Sequence, residues 1–258
     1  MAKYPSLKER RVLITGGASG IGLATARRFI REGSRVFILD KNPESLRSAL
    51  EENPDVAAGL AVDVGDSNQL ESAFLTLVEQ FGGVDVLIAN AGISVRKPFL
   101  KIEPDQWRRV MNTNLDGAFL CSRLAVREMR KQRSGVILFT ASTNGIEGHP
   151  WYTDYNVSKA GVILLAKTLA LEFAPWLRVN AVCPGYVLTP MQKAEYTPEM
   201  LEEVNAGIPM RRHADPEEVA ALFAFLSSDE ASYITGQAIP IDGGETTGPG
   251  LKPGEESG

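Results

Sequence analysis

Short apolar runs alternate with amphipathic stretches along most of the chain. Runs rich in β-branched and apolar residues predict seven strands, at residues 12–14, 35–39, 59–62, 84–89, 135–140, 177–183 and 238–241. Apolar positions at helical spacing between the strands predict helices through residues 23–30, 44–51, 66–80, 104–130, 160–171 and 219–226. This alternation predicts an α/β fold, with a parallel, doubly wound sheet and helices on both faces.

Two segments depart from that simple pattern. Asn112, Asn114 and Gly117 interrupt the long helical stretch at 104–130, and asparagine is a mediocre helix former. A buried Asn114 would need a reason, unless it is a satisfied amide between packed helices. Residues 191–207 are polar, with a short helix predicted around 198–205, and a loop of this size beside a ligand edge is often a lid.

Composition places the chain among soluble globular proteins, at 44% apolar and 23% charged residues over 258 positions. No linker divides it, so we predict a single Rossmann-type domain over residues 1–258. Its core spans about 8–245, and the glycine- and proline-rich residues 246–258 are predicted to form a flexible tail.

Charge and cysteine content narrow the classes of partner and location. A net charge of −5 argues against a nucleic-acid surface, which needs a basic face. Cys121 and Cys183 stand in apolar segments without the spacing of a metal site or a disulfide framework. We see neither a signal-peptide core nor an apolar run able to span a bilayer, so we expect a cytoplasmic protein with no membrane partner and no metal.

A glycine-rich turn follows the first strand. Gly16, Gly20 and Gly22 would let the backbone approach a pyrophosphate at the start of the first helix, although a tight connection alone could also explain them. Asp40 ends the second strand about 20 residues later, where an acidic side chain bonds adenosine ribose hydroxyls. A carboxylate there repels a 2′-phosphate and favours NAD over NADP, while Lys41 and Arg47 nearby favour the opposite choice.

Tyr155 and Lys159 are four residues apart at the start of a predicted helix, so they share one face. A free phenol has a pKa of about 10, and we expect the nearby ammonium to lower it so that Tyr155 can exchange a proton with a substrate. Alone, the pair could equally be an ordinary surface contact. Ser142 follows the fifth strand, at the sheet edge where ligands of open α/β folds bind.

The loop between Ser142 and Tyr155 is polar, aromatic and glycine-bearing, as expected of a pocket wall. Carboxylate and imidazole groups in it suit a polyol, a sugar or a hydroxy acid, and its rings suit a cyclic or apolar moiety, unless these side chains only pack the loop. The candidate substrate residues are Asn144, Glu147, His149, Trp151, Tyr152 and Tyr186.

These features occur together in one order: Thr15-Gly16-x-x-x-Gly20-Ile21-Gly22, Asn90-Ala91-Gly92, Asn114, Ser142, Tyr155-x-x-x-Lys159, Pro184-Gly185 and Asp242-Gly243-Gly244. The ordered set resembles the short-chain dehydrogenase/reductase family over roughly residues 8–245. That resemblance implies a Rossmann-type fold whose seven parallel strands follow the order 3-2-1-4-5-6-7. Departures such as Ala89 and Ala141 leave the catalytic positions intact.

The resemblance also implies residue roles. Tyr155 would be the catalytic acid and base, Lys159 would hold the nicotinamide ribose and lower the Tyr155 pKa, Ser142 would orient the reacting oxygen, and Asn114 would position a water in a proton relay. The cofactor-binding residues would be Gly16, Ser19, Gly20, Ile21, Gly22, Asp40, Asp63, Val64, Asn90, Ala91, Gly92, Tyr155, Lys159, Pro184, Gly185, Val187 and Thr189. Ser19 stands where NADP-preferring relatives often carry a basic residue.

The combined prediction is an NAD-dependent oxidoreductase that interconverts a secondary alcohol and a ketone. Two alternatives stay open: an NADP-dependent carbonyl reductase resembling 3-oxoacyl-carrier-protein reductases, and a dinucleotide-sensing protein without catalysis. By resemblance we expect a homotetramer that pairs its long helices and its C-terminal strand.

Overall fold

The computed structural model describes residues 4–248 and contains one parallel sheet. Within these residues the sheet has seven strands in the order β3-β2-β1-β4-β5-β6-β7. The strands are β1 (Arg11–Thr15), β2 (Arg35–Asp40), β3 (Ala58–Ala61), β4 (Val86–Ala89), β5 (Gly135–Thr140), β6 (Leu177–Pro184) and β7 (Ala238–Ile241). The predicted fold class and strand order are confirmed, and strand boundaries differ from the prediction by at most two residues.

Helices cover both faces of this sheet. They are α1 (Gly20–Arg31), α2 (Pro43–Glu52), α3 (Ser67–Phe81), α4 (Pro104–Met111), α5 (Gly117–Gln132), α6 (Thr153–Phe173), α7 (Pro190–Glu195), α8 (Pro198–Gly207) and α9 (Pro216–Ser227). Side chains alternate between the faces along each strand. Leu13 and Leu39 pack with the α3, α5 and α6 side, and Val12 and Ile38 pack with the α1, α2 and α9 side.

The long helical stretch predicted at 104–130 is broken where its asparagines stand. Residues Asn112–Asp116 form one widened π-helical turn between α4 and α5. Asn114 is 2% exposed within it. Its amide accepts a hydrogen bond from Ile93 N–H at 2.8 Å and donates to the Ile93 carbonyl and the Ser158 hydroxyl, each at 3.0 Å. The π-helical turn therefore places the buried Asn114 amide against the backbone that follows β4.

Two other segments are more ordered than the sequence indicated. The polar stretch at 191–207 contains α7 as well as α8, and each begins with a threonine cap followed by proline. Thr246, predicted to start the tail, donates to the Asp242 carboxylate through its N–H at 2.9 Å and its hydroxyl at 2.7 Å. Most of the predicted tail, residues 249–258, lies outside the described residues.

None of the helices within residues 4–248 is long and apolar enough to cross a membrane. The single-domain organisation and the cytoplasmic location stay predictions.

Candidate active site

The glycine turn between β1 and α1 is built for close backbone approach. Gly16 and Gly20 have positive φ angles of 63° and 51°, which L-residues with a Cβ rarely adopt. A Cβ on Gly22 would overlap the Gly16 carbonyl oxygen and lie 2.8 Å from the Asn90 amide nitrogen. The exposed Ser19 precedes α1 and makes no side-chain capping bond. The first N–H groups of α1 and this bare cradle fit a pyrophosphate.

An acidic side chain stands beside that cradle. The Asp40 carboxylate, at the end of β2, accepts hydrogen bonds from the N–H groups of Ala18 and Asn42, both at 3.0 Å. Lys41 points instead to Asp63, with which it forms an ion pair. Lys41 is therefore paired with Asp63 rather than with Asp40, whose carboxylate stays beside the cradle.

Asn90 joins three strand ends below the cradle. Its amide nitrogen donates to the carbonyls of Thr15 and Gly16, both at 3.1 Å, and its oxygen accepts from the Thr140 hydroxyl at 2.9 Å. The N–H of Ala91 donates to the Thr15 hydroxyl at 3.0 Å. These bonds fix the ends of β1, β4 and β5 relative to one another.

The buried Lys159 reaches this network from helix α6. Its Nζ donates to the Thr140 carbonyl at 2.6 Å. A Cβ on Gly92 would meet Lys159 Nζ at 3.4 Å and the Asn114 Oδ1 at 3.3 Å, so all three residues surround one point. Burial is the main cause that lowers the pKa of Lys159, to about 8.

Tyr155 and Ser142 meet one helical turn from Lys159. Ser142 and the Tyr155 phenol line one pocket, and the Ser142 hydroxyl is near enough to lower the pKa of the phenol. The Lys159 Nζ lies 5.5 Å from the Tyr155 ring centroid. The geometry expected from the sequence is therefore present.

The expected lowering of the Tyr155 pKa is wrong, because the pKa lies above its ordinary value of about 10. Burial raises it to about 12, the neighbouring Ser142 hydroxyl lowers it in part, and the charge of Glu195 raises it further. Lys159 does not offset the burial because its ammonium points to the Thr140 carbonyl rather than to the phenol oxygen. Tyr155 is consequently a neutral, proton-bearing group at rest.

The segments around Val187 and Ala214, which follow β6 in the chain, border the site on the side of the glycine turn. Val187 pairs with Ala214 in an isolated bridge. A Cβ on Gly20 would lie 3.3 Å from the Thr189 side chain, so this segment faces the glycine turn. The Pro184 carbonyl accepts a long hydrogen bond of 3.5 Å from the Ser142 hydroxyl.

The pocket beside Tyr155 contains four of the six predicted substrate residues, namely Asn144, His149, Tyr152 and Tyr186. Glu147 and Trp151 are outside it, which corrects the prediction. Trp151 is 47% exposed with a positive φ of 68°, and its ring stacks on the Arg96 guanidinium at 4.2 Å. Glu147 is exposed on the loop.

Several pocket residues were absent from the sequence prediction: Ser94, Thr143, Met191, Gln192, Glu195, Tyr196 and Glu245. The predicted lid at 191–207 includes the pocket residues on α7, but no local sequence feature indicated that Glu245 lines the pocket. The Tyr152 hydroxyl bonds the Glu195 carboxylate at 2.9 Å and the Tyr196 hydroxyl at 3.1 Å. Helix α7 is thereby held over the pocket.

A doubly wound sheet with a pyrophosphate cradle and a tyrosine, serine and lysine at its carboxyl edge defines a nicotinamide-dependent oxidoreductase. A family model described as enoyl-(acyl carrier protein) reductase matches residues 16–246. The chain belongs to the short-chain dehydrogenase/reductase family.

Named relatives support this assignment. The chain is 42% identical to 3-oxoacyl-[acyl-carrier-protein] reductase FabG of Thermotoga maritima, covering 92% of this chain and 98% of that protein. It is 39% identical to 3beta-hydroxysteroid dehydrogenase 1 of Eggerthella lenta, covering 98% and 99%. The solved structure of levodione reductase matches with a TM-score of 0.89 at 35% identity, covering 93% of this chain and 98% of that one.

Proposed function

We propose that this protein is an NAD-dependent oxidoreductase that interconverts a secondary alcohol and a ketone, with Tyr155 as the acid and base. One observation carries the proposal: the Tyr155 phenol and the Ser142 hydroxyl line one pocket at the carboxyl edge of the sheet, the edge at which the glycine turn after β1 also lies. The relatives named as dehydrogenases and reductases support the same chemistry.

In carbonyl reduction, the neutral Tyr155 donates its proton to the reacting oxygen, which Ser142 holds by a hydrogen bond. In alcohol oxidation the phenol must first lose that proton, and its raised pKa opposes the loss. When bound, the nicotinamide dinucleotide supplies or accepts the hydride. Lys159, anchored on Thr140, places a positive charge beside the site, where it would hold the nicotinamide ribose hydroxyls and favour the phenolate over the neutral phenol.

The cofactor preference rests on Asp40, whose carboxylate is fixed beside the cradle by two backbone N–H groups. A 2′-phosphate near it would meet like charge. We infer that Asp63, Val64, Val187 and Thr189 complete the dinucleotide site. Titration of the purified protein with NAD and NADP tests this, and tighter binding of NADP would contradict it.

The replacement Tyr155→Phe tests the catalytic assignment because it removes only the hydroxyl. We expect unchanged NAD affinity, measured by calorimetry, and at least about a hundredfold loss of kcat, in line with general acid–base contributions. Tyr233→Phe is the matched control, since Tyr233 is 101% exposed. Comparable activity in the Tyr155→Phe variant would overturn the assignment.

The identity with the Thermotoga relative favours a second candidate, reduction of a 3-oxoacyl thioester with NADPH. Assaying acetoacetyl thioesters with both reduced dinucleotides separates the two: faster turnover with NADPH and the thioester would select the second candidate.

We also infer a homotetramer. The helices α5 and α6 carry uncovered apolar side chains, with Phe119 at 49%, Leu164 at 64% and Leu171 at 85% exposure. Such a patch fits an interface between copies. Light scattering coupled to size exclusion tests it, and a monomer at micromolar concentration would contradict it.

A further inference from the structure

The pocket beside Tyr155 collects buried polar atoms that have no partner in the protein. Six buried side-chain nitrogen and oxygen atoms within residues 4–248 lack a hydrogen bond, and four of them belong to pocket residues. These four are His149 Nε2, Gln192 Nε2, Glu195 Oε1 and Glu245 Oε2. Since native proteins satisfy nearly all buried polar groups, this concentration indicates a polar ligand.

The four atoms come from separate parts of the fold. Gln192 and Glu195 are on helix α7, His149 is on the loop before α6, and Glu245 follows β7. The second oxygen of Glu195 already accepts a hydrogen bond from the Tyr152 hydroxyl at 2.9 Å. Tyr152 therefore fixes the Glu195 carboxylate while its Oε1 stays without a partner.

Their chemistry restricts the ligand. The amide of Gln192 donates, the Glu195 carboxylate accepts, and Glu245, with a pKa of about 7, accepts when ionised and can donate when protonated. Burial lowers the pKa of His149, so its imidazole is neutral and can donate or accept. A hydroxyl both donates and accepts, and several hydroxyls can match the whole set. An ammonium cannot satisfy Gln192 because it has no acceptor.

The charge of the lining residues favours an uncharged ligand over an anion. No lysine or arginine is among the described residues that line it, while Glu195 and Glu245 both do. Burial, with Asp242 and Glu147 nearby, raises the pKa of Glu245 to about 7, as expected of a carboxylate without a cation. The pocket is about 80 Å³, against roughly 300–1,000 Å³ for pockets that hold drug-sized ligands, so the ligand is small.

We propose that the substrate of this site is a small, uncharged, polyhydroxylated alcohol, and that Glu245 and Glu195 determine this specificity by accepting hydrogen bonds from hydroxyls next to the reacting carbinol. The inference rests on the proposed function for the identity of the reacting group. It adds the chemical class of the substrate and two specificity residues. A simple alcohol would leave a buried carboxylate oxygen without a hydrogen-bond donor. This cost makes the discrimination between a simple alcohol and a polyhydroxylated one strong.

The test uses binding in a variant that cannot turn over. Four compounds with the same four-carbon skeleton, meso-erythritol, 2-butanol, 3-hydroxybutanoate and 4-aminobutan-2-ol, are titrated by ligand-observed NMR into Tyr155→Phe with and without NAD. We expect erythritol to bind at least about tenfold more tightly than each of the others, the effect of one hydrogen bond to a charged acceptor. Equal or tighter binding of any of the other three overturns the inference.

Substitutions then assign the effect to the two carboxylates. We expect Glu245→Gln and Glu195→Gln each to remove most of the erythritol preference, and the second variant serves if the first does not fold. The control Glu203→Gln, on the exposed surface of α8, should keep it. An unchanged preference for erythritol in both pocket variants would contradict the assignment of the specificity to Glu245 and Glu195.

The two proposals can fail separately. Wild-type protein that oxidises 2-butanol with NAD at least as well as erythritol sustains the proposed function and overturns the substrate class. Selective erythritol binding without any NAD-linked turnover sustains the substrate class and overturns the proposed function.

Discussion

The replacement Gly22→Ala probes the glycine cradle with a single methyl group. The added Cβ would overlap the Gly16 carbonyl oxygen, and it would lie 2.8 Å from both the Gly16 carbonyl carbon and the Asn90 amide nitrogen, against 3.4 Å or more in an ordinary contact. Two of these three neighbours are backbone atoms, so relief requires the turn itself to open. Overpacking of this kind costs about 1–3 kcal/mol.

That cost should appear in two measurements. We expect the melting temperature to fall by roughly 2–4 °C for each kcal/mol. NAD should bind at least about tenfold more weakly by calorimetry, since each 1.4 kcal/mol is a factor of about ten. Gly207→Ala is the control, because Gly207 ends helix α8 and a Cβ there meets nothing within 4 Å. Wild-type NAD affinity in Gly22→Ala would refute the assignment of this turn to the pyrophosphate.

Three further replacements test other parts of the site. Asp40→Asn removes the charge beside the cradle and should raise NADP affinity at least about tenfold in a dinucleotide titration; an unchanged preference would contradict the role of Asp40. Asn114→Ala leaves buried groups of Ile93 unpaired and should destabilise the fold by about 1–3 kcal/mol in denaturant unfolding, so a wild-type midpoint would count against it. Glu245→Gln should raise the melting temperature more at pH 8 than at pH 5. The folded pKa of about 7 exceeds the ordinary 4.5, so the native form loses stability as pH rises from 4.5 to 7; an equal gain at both pH values would contradict the raised pKa.

The fold was predictable because its determinants are local and repeated. Alternation along strands such as Val12-Leu13-Ile14 sends side chains to opposite faces, and the structure confirms the two cores. The break near Asn114 was visible for the same reason, since asparagine competes with helical hydrogen bonding. Residues spaced at helical or turn intervals, such as Tyr155 and Lys159, could also be placed together.

What the sequence did not indicate depends on burial and on contacts between distant segments. The pKa of Tyr155 moved up rather than down because its hydroxyl is desolvated and Lys159 bonds Thr140. Glu245 stands 90 positions after Tyr155, and only the crossover from β6 to β7 brings it to the pocket. Trp151 does not line the pocket; its ring is half-exposed and stacks on Arg96, a contact between segments that the local sequence does not indicate.

The π-helical turn at Asn112–Asp116 sets the rotation of α4 relative to α5. Each residue in a helix advances the side chains by about 100° and the axis by about 1.5 Å. Removing one residue here would restore a regular spiral, yet it would swing α4 by that angle relative to α5 and carry the interior amide away from Ile93 and Ser158. The extra residue in this π-helical turn therefore acts as a spacer. It keeps the side chains of α4 and α5 in their observed orientation relative to one another.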